Sequence, residues 1–375
     1  MPATTTPRAV SSLTTLRLGV VGSVLVLLGG LVISAVPHSS WVADLAWRHS
    51  MPGRMSGLVV VVGGLGLLSA AWVRLWRAAG HGHADLHAVR RATVLFVLPL
   101  LVAPPLFSRD GWSYAAQGEL TRLGLSPYTW GPGVLSGPVV EAVDPRWLAT
   151  PTPYGPLPLL WGSGTARLVD SPWAMVVGHR LLALVGLALL AWALPRLAAW
   201  TRHDPAFVSA LVLPSPLVLA HGVGGLHNDL LMVGLGAAAL VVAAERGWVL
   251  GAATGGLAAA VKLPGGLVCL GVVLLSLHAG PACASAWAGW PRWGWSAWRC
   301  WSGSASWPGP GAAGCTRSGS PAPCTHRWPS ARPSSCCCPA PGCSPRSWQW
   351  GSWCCWRWAR PPATARRRCA PPPSP

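Results

Sequence analysis

The run Val94–Tyr128, VLFVLPLLVAPPLFSRDGWSYAAQGELTRLGLSPY, decides how the chain is read. Up to Phe107 it is apolar. From Ser108 onward it carries Arg109, Asp110, Glu119 and Arg122, in a chain with only 10 acidic residues. An acid one step beyond an apolar helix lies where hydrocarbon meets water, and there it stays ionised while reaching a lipid headgroup. The fold expected around this junction is an all-α integral membrane bundle of about eight spans over residues 1–277, with a long extracytoplasmic loop after the third span.

Composition agrees with that reading. Of 375 residues, 51% are hydrophobic and 10% charged, with a mean hydropathy of +0.42, whereas soluble domains carry roughly 25% charged residues. The net charge of +18 raises nucleic acid as a partner. The basic residues, however, sit between apolar segments rather than in one aromatic-laced patch, so no nucleic-acid partner is expected. The expected surroundings are a lipid bilayer.

The apolar runs are Leu16–Val36, Gly57–Val73, Thr93–Phe107, Trp173–Leu194, Ala206–Ala220, Leu230–Ala244, Trp248–Val261 and Gly265–Leu277. The first has spanning length and lacks a small-residue cleavage site, so it reads as a membrane helix rather than a removable leader. Arg74, Arg77, Arg90 and Arg91 mark one loop as cytoplasmic. Alternation then puts Asp110, the motif HGVGGLHND and Lys262 together on the outer face, and Arg196, Arg202 and Arg246 inside. Within the 108–172 loop, Tyr114–Leu125 has amphipathic spacing and reads as a short helix lying in the interface. The prolines of SPYTWGPG and TPTPYGPLPLLW supply rigid turns.

From Ala279 the alphabet changes. No Leu, Ile, Val, Phe, Tyr, Met, Lys, Asp, Glu or Asn occurs again, and all cysteines but Cys269 lie in this stretch. Such a composition has no aliphatic residues with which to fill a core. Residues 278–375 therefore read as a low-complexity, disordered tail translated out of frame, which would leave this copy inactive. A cysteine-rich metal site is the alternative, but the CCC and CC clusters lack paired ligand spacing.

Sugar transfer from a lipid phosphate needs a base for the acceptor hydroxyl, a cation for the departing phosphate and a groove for the lipid. Asp110 is the candidate base; its plainer role is solvation or pairing with Arg109. His227, Asn228 and Asp229 are candidates for binding sugar hydroxyls or phosphate, although one of them would suffice as a helix cap. Lys262, the chain's single lysine, either snorkels to the interface or neutralises a phosphate, as Arg109 could. Arg180 lies about two turns into its span, where an arginine costs on the order of 2–3 kcal/mol unless paired; that makes it a phosphate candidate, with His179 beside it structural. Tyr114, Tyr128 and Tyr154, the only tyrosines, are interfacial anchors or stack on sugar. No Gly-rich phosphate loop, nucleophile elbow or zinc-protease motif is present, and no cofactor is expected. A lipid-linked-sugar transporter is the competing reading, but polar residues gathered at one surface, without repeated halves, fit it poorly.

The segments RDGWSYAAQGELTRLGLSPY, TPYGPLPLLW, PSPLVLAHGVGGLHNDLLMVGL and AAAVKLPGG, in this order, resemble the actinobacterial polyprenol-phosphate-mannose-dependent α-1,6-mannosyltransferases over roughly residues 10–277. The resemblance implies a GT-C fold and an inverting transfer of mannose from a β-linked polyprenyl phosphate to a mannan or lipomannan acceptor. It also places the catalytic acid of an early outward loop at Asp110.

Overall fold

A computed structural model of the chain describes residues 8–278. The out-of-frame reading of the tail falls on residues 279–375, outside the described ones. In chain order the α-helices are α1 (Arg8–Ile33), α2 (Ala46–His49), α3 (Met51–Gly80), α4 (Leu86–Val97), α5 (Asp110–Arg122), α6 (Pro156–Leu168), α7 (Pro172–Trp200), α8 (Pro205–Val212), α9 (Asp229–Arg246), α10 (Trp248–Val261) and α11 (Val268–His278). A π-helix covers Leu217–Gly224, short 3-10 turns fill several connections, and no strand occurs among the described residues.

Leu13–Ile33 within α1, and the whole of α3 and α7, are long and apolar enough to cross a membrane. A fourth span exists if α8 and the π-helix, which meet at 53°, are one broken crossing. The helix starts follow local chemistry. Ser50 Oγ accepts from the Gly53 N–H (3.1 Å), Asp85 Oδ1 from Ala88 (2.8 Å) and Asp204 Oδ1 from Phe207 (2.8 Å), so three helices open on side-chain caps. Gly247 at φ +100° makes the tight turn from α9 into α10.

Small residues set the packing. A Cβ on Gly22 would lie 2.8 Å from the Gly64 carbonyl oxygen, and one on Gly29 2.6 Å from that of Gly57, so α1 and α3 run antiparallel along a glycine seam. Gly186 of α7 meets Leu230 and Gly234 of α9 in the same way. Met55, Leu58, Val59 and Val62 of α3 face outward and exposed, as lipid-facing side chains do.

Three expectations need correction. The run Thr93–Phe107 is not one continuous α-helix. Its α-helix stops at Val97, continues as a 3-10 turn over Leu98–Val102, and ends at Pro104 and Pro105, which have no N–H to extend it. The 108–172 segment holds, besides the expected short helix (α5), a second one, α6. The helix α5 does not lie in the interface: Gly111–Gly118 and Leu120 are buried, and a Cβ on Gly118 would come 2.6 Å from the Gly162 backbone of α6. The expected short run Trp248–Val261 is α10, 14 residues long, and Gly265–Leu277 holds α11, 11 residues long, both shorter than the ~20 residues of a full helical crossing.

The bundle has two chemically distinct ends. At one, Trp76 of α3 packs on Phe207 of α8 (centroids 5.7 Å), Arg90 Nη2 donates to the Ala191 carbonyl (2.9 Å), and Arg196 pairs with Glu245 (3.4 Å). At the other, Trp112 Nε1 donates to the Ala35 carbonyl (2.9 Å) just past α1, and the Trp112 ring meets Trp173 at the start of α7 edge-on (5.8 Å).

Candidate active site

The second end carries the site. After Pro104 and Pro105 the chain reverses at Phe107, whose φ of +64° is rare for a non-glycine residue. Asp110 then becomes the first residue of α5, where the unpaired N–H groups of the helix start favour an anion. Its backbone N–H donates to Ser108 Oγ (3.2 Å). On the far segment, the π-helix ends at Gly224 and Leu226 turns the chain with φ +57°, which delivers His227 just ahead of α9.

These turns bring Asp110 Oδ2 to 3.3 Å from His227 Nδ1. The side chains remain 23% and 27% exposed, so the pair is formed yet open to a substrate. Behind His227 the His221 ring stacks at 6.3 Å, and Phe107 packs on His221 at 4.9 Å.

A second pair lies beside the first. Lys262 Nζ donates to both carboxylate oxygens of Asp229, at 2.9 and 3.1 Å, and sits 5.6 Å from the centre of the Tyr154 ring. The Tyr114 hydroxyl donates to the Tyr154 hydroxyl at 3.1 Å, with the rings edge to face. Burial is the main cause raising both phenols, Tyr154 to about 12 and Tyr114 well above its ordinary value. The charges of Asp110 and Asp229 push both in the same direction, so the tyrosine pair feels both carboxylates.

On the α1 side of Asp110 a cleft of about 440 Å³ is rimmed by Arg109, Arg146, Asp144 and Trp147 over an apolar floor from Ile33 and Val61. Asp144 is held near 2, chiefly by hydrogen bonds from Arg146 (3.0 Å), with Arg109 adding its charge. The cleft therefore joins a cationic rim to the end of α1 and the flank of α3. Among the described residues, no three His, Cys, Asp or Glu side chains gather closely enough to hold a metal ion.

Asp110, Arg109, Tyr114, Tyr154, His227, Asp229 and Lys262 thus meet at one end of the bundle. Asn228 is 4% exposed, makes no side-chain cap, and its Nδ2 has no partner among the described residues. Two expected site residues stand elsewhere. Tyr128 is 54% exposed, and no ring contact or hydrogen bond ties it to the cluster among the described residues. Arg180 is 1% exposed and donates to backbone carbonyls, from Nη1 to Leu101 (2.5 Å), Nη2 to Ala103 (2.8 Å) and Gly224 (3.3 Å), and Nε to Val223 (3.2 Å). With its donors so engaged it is not placed to receive a phosphate. His179 is structural in position, buried beside the Tyr114 ring at 5.9 Å.

Sequence reasoning passed over His221 and the Asp144–Arg146 pair. His221 opens the same HGVGGLHND motif that contains His227, a visible but unused signal. Asp144–Pro145 is a turn signal whose aspartate caps the short 3-10 helix Pro145–Trp147.

Residues 16–278 match a family model described as alpha-(1->6)-mannopyranosyltransferase, N-terminal domain. The chain is 37% identical over 258 residues to alpha-(1->6)-mannopyranosyltransferase A of Mycobacterium tuberculosis, covering 67% of this chain and 49% of that protein. It is 34% identical over 269 residues to the Corynebacterium glutamicum protein of the same name (68% and 54%), and 30% identical over 259 residues to alpha-(1->6)-mannopyranosyltransferase B of that organism (64% and 42%). No solved structure matches the chain. The chain spans about half the length of the first two of these relatives. An all-helical membrane bundle that ends in an acid–imidazole pair, and matches that model along most of its described length, belongs to the alpha-(1->6)-mannopyranosyltransferase family.

Proposed function

We propose that the chain transfers mannose from a polyprenyl-phosphate-mannose donor to a hydroxyl of a mannan or lipomannan acceptor, forming an α-1,6 linkage at the outer face of the cell membrane. Asp110 accepts the proton of the acceptor's 6-hydroxyl as that oxygen attacks the anomeric carbon. The bond from that carbon to the phosphate oxygen breaks from the opposite face, its electron pair leaves with polyprenyl phosphate, and a β-linked donor gives an α-linked product. His227 orients the carboxylate and stabilises it. Lys262, held by Asp229, and Arg109 on the cleft rim are the cations available to the leaving phosphate. Tyr154 and Tyr114 offer an aromatic wall to the sugar, with Asn228 as a further polar contact. The step itself calls on no cofactor.

The observation carrying this reading is the 3.3 Å contact between Asp110 and His227, both partly open, beside a cleft that runs from a cationic rim to lipid-facing helices. The arginine-rich end is cytoplasmic on charge bias, which puts the site outside.

Membranes containing the chain, and the chain with the alternative frame restored beyond residue 278, are supplied with labelled polyprenyl-phosphate-mannose or a nucleotide-activated mannose. Transfer is expected from the lipid donor alone, and Asp110→Asn is expected to abolish it while leaving membrane insertion intact. Use of the nucleotide donor, or full turnover by Asp110→Asn, would overturn the proposal. Transfer only after frame restoration would assign inactivity of the present form to residues 279–375.

A further inference from the structure

The four carbonyls held by Arg180 belong to two helices that stop early. In a continued α-helix the Leu101 carbonyl would accept from the N–H of residue 105, but that residue is Pro105. Val223 and Gly224 close the π-helix, after which Leu226 turns away in the left-handed region. Both stubs therefore present carbonyls without helical partners inside the bundle, and one guanidinium serves both. They are also joined directly, since the Leu106 N–H donates to the Gly224 carbonyl at 3.1 Å. A side chain on Gly225 would run into the Leu106 carbonyl oxygen at 3.0 Å, so the two turns touch. Asp110 lies a few residues beyond the first stub and His227 a few residues beyond the second.

We propose that Arg180 is a positioning residue, one that fixes the register of the Asp110 segment against the His227 segment and touches no substrate. Its structural consequence stands alone; its kinetic consequence rests on the transfer reading above. The planar guanidinium offers five N–H donors in a fixed fork, so it can bridge four carbonyls from two segments at once. A lysine reaches the same place with three donors at a single point and holds only some of them. Glutamine keeps polarity but cannot span both stubs.

The test compares wild type, Arg180→Lys and Arg180→Gln as full chains in lipid nanodiscs. Amide hydrogen exchange is followed over residues 98–112 and 217–230, with α1 and α3 as internal controls, beside steady-state transfer. Exchange in the two windows is expected to rise together in Arg180→Gln and less in Arg180→Lys, with the controls unchanged. Turnover should fall about 100-fold in Arg180→Gln, the scale of an ångström-sized misplacement, with KM little changed and partial recovery in Arg180→Lys. Unchanged exchange, or a rise in one window only, would overturn the proposal. So would a raised KM at constant kcat, which would mean the guanidinium binds donor. Loss of helix throughout both variants would also overturn it, by making Arg180 a prop for the whole bundle. If neither the wild-type chain nor its frame-restored form transfers mannose, the transfer reading fails separately, and the exchange data still decide the brace.

Discussion

Tyr154 shows how single residues at the site hold their charge state. Its phenol is pushed to about 12, against an ordinary value of 10.0, first by burial and then by Asp110 and Asp229. A phenol raised on folding contributes stability in full below pH 10 and loses it as the pH rises to 12, because the unfolded chain releases a proton that the folded one keeps. Two units correspond to a loss on the order of 2–3 kcal/mol, and Tyr114 shifts in the same direction. Thermal unfolding in nanodiscs between pH 9 and 12 is therefore expected to show a steep alkaline fall that Tyr154→Phe makes shallower; equal slopes would show that the phenols are not held as described. The same residue scale separates what the sequence disclosed from what it hid. That Asp110, His227, Asp229 and Lys262 share one end was legible because acids and lysine are rare in this chain and three polar side chains follow GVGG. Arg180 was misread because its sequence position gave its depth but not its partners. Those partners are backbone carbonyls orphaned by prolines and turns far away in the chain.

Among the elements, α5 and α6 define how closely the site is held. Gly118 and Gly162 let the two backbones touch, and α5 carries Asp110 and Tyr114 on that support. Gly118→Ala would place a methyl 2.6 Å from a Gly162 backbone carbon, and overpacking of that kind costs about 1–3 kcal/mol. A lowered melting temperature is expected. Gly63→Ala in α3, where a Cβ would meet nothing within 4 Å, is the matched control, expected to be neutral or slightly stabilising. Equal behaviour of the two variants would contradict the close crossing. Most elements were legible from apolar runs: α1, α3, α7, α9 and α10 lie where those runs lie. The break in Thr93–Phe107 was missed because the run's hydropathy outweighed its three prolines, Pro99, Pro104 and Pro105. The burial of α5 was missed because its small residues carry little apolar signal, although they are what allows the tight crossing with α6.

At the scale of the whole molecule, charge and chemistry separate to opposite ends. Caps at Asp85 and Asp204 and the Arg196–Glu245 pair belong to one end, and the acid–imidazole and acid–ammonium pairs to the other. With the native cysteines replaced by serine, a cysteine at Trp41 or Trp147 is expected to react with a membrane-impermeant maleimide on intact cells, and one at His83 only after permeabilisation. The reverse pattern would invert the topology. The central claim is that two segments remote in sequence form one reaction centre, with Asp110 as base and His227 as its orienting partner. The most direct test is a double-mutant cycle on turnover with Asp110→Asn, His227→Gln and the double variant. Groups acting as a unit are predicted to be non-additive, so that the double variant loses no more than Asp110→Asn alone. Independent, additive losses, or substantial turnover remaining in Asp110→Asn, would contradict the account.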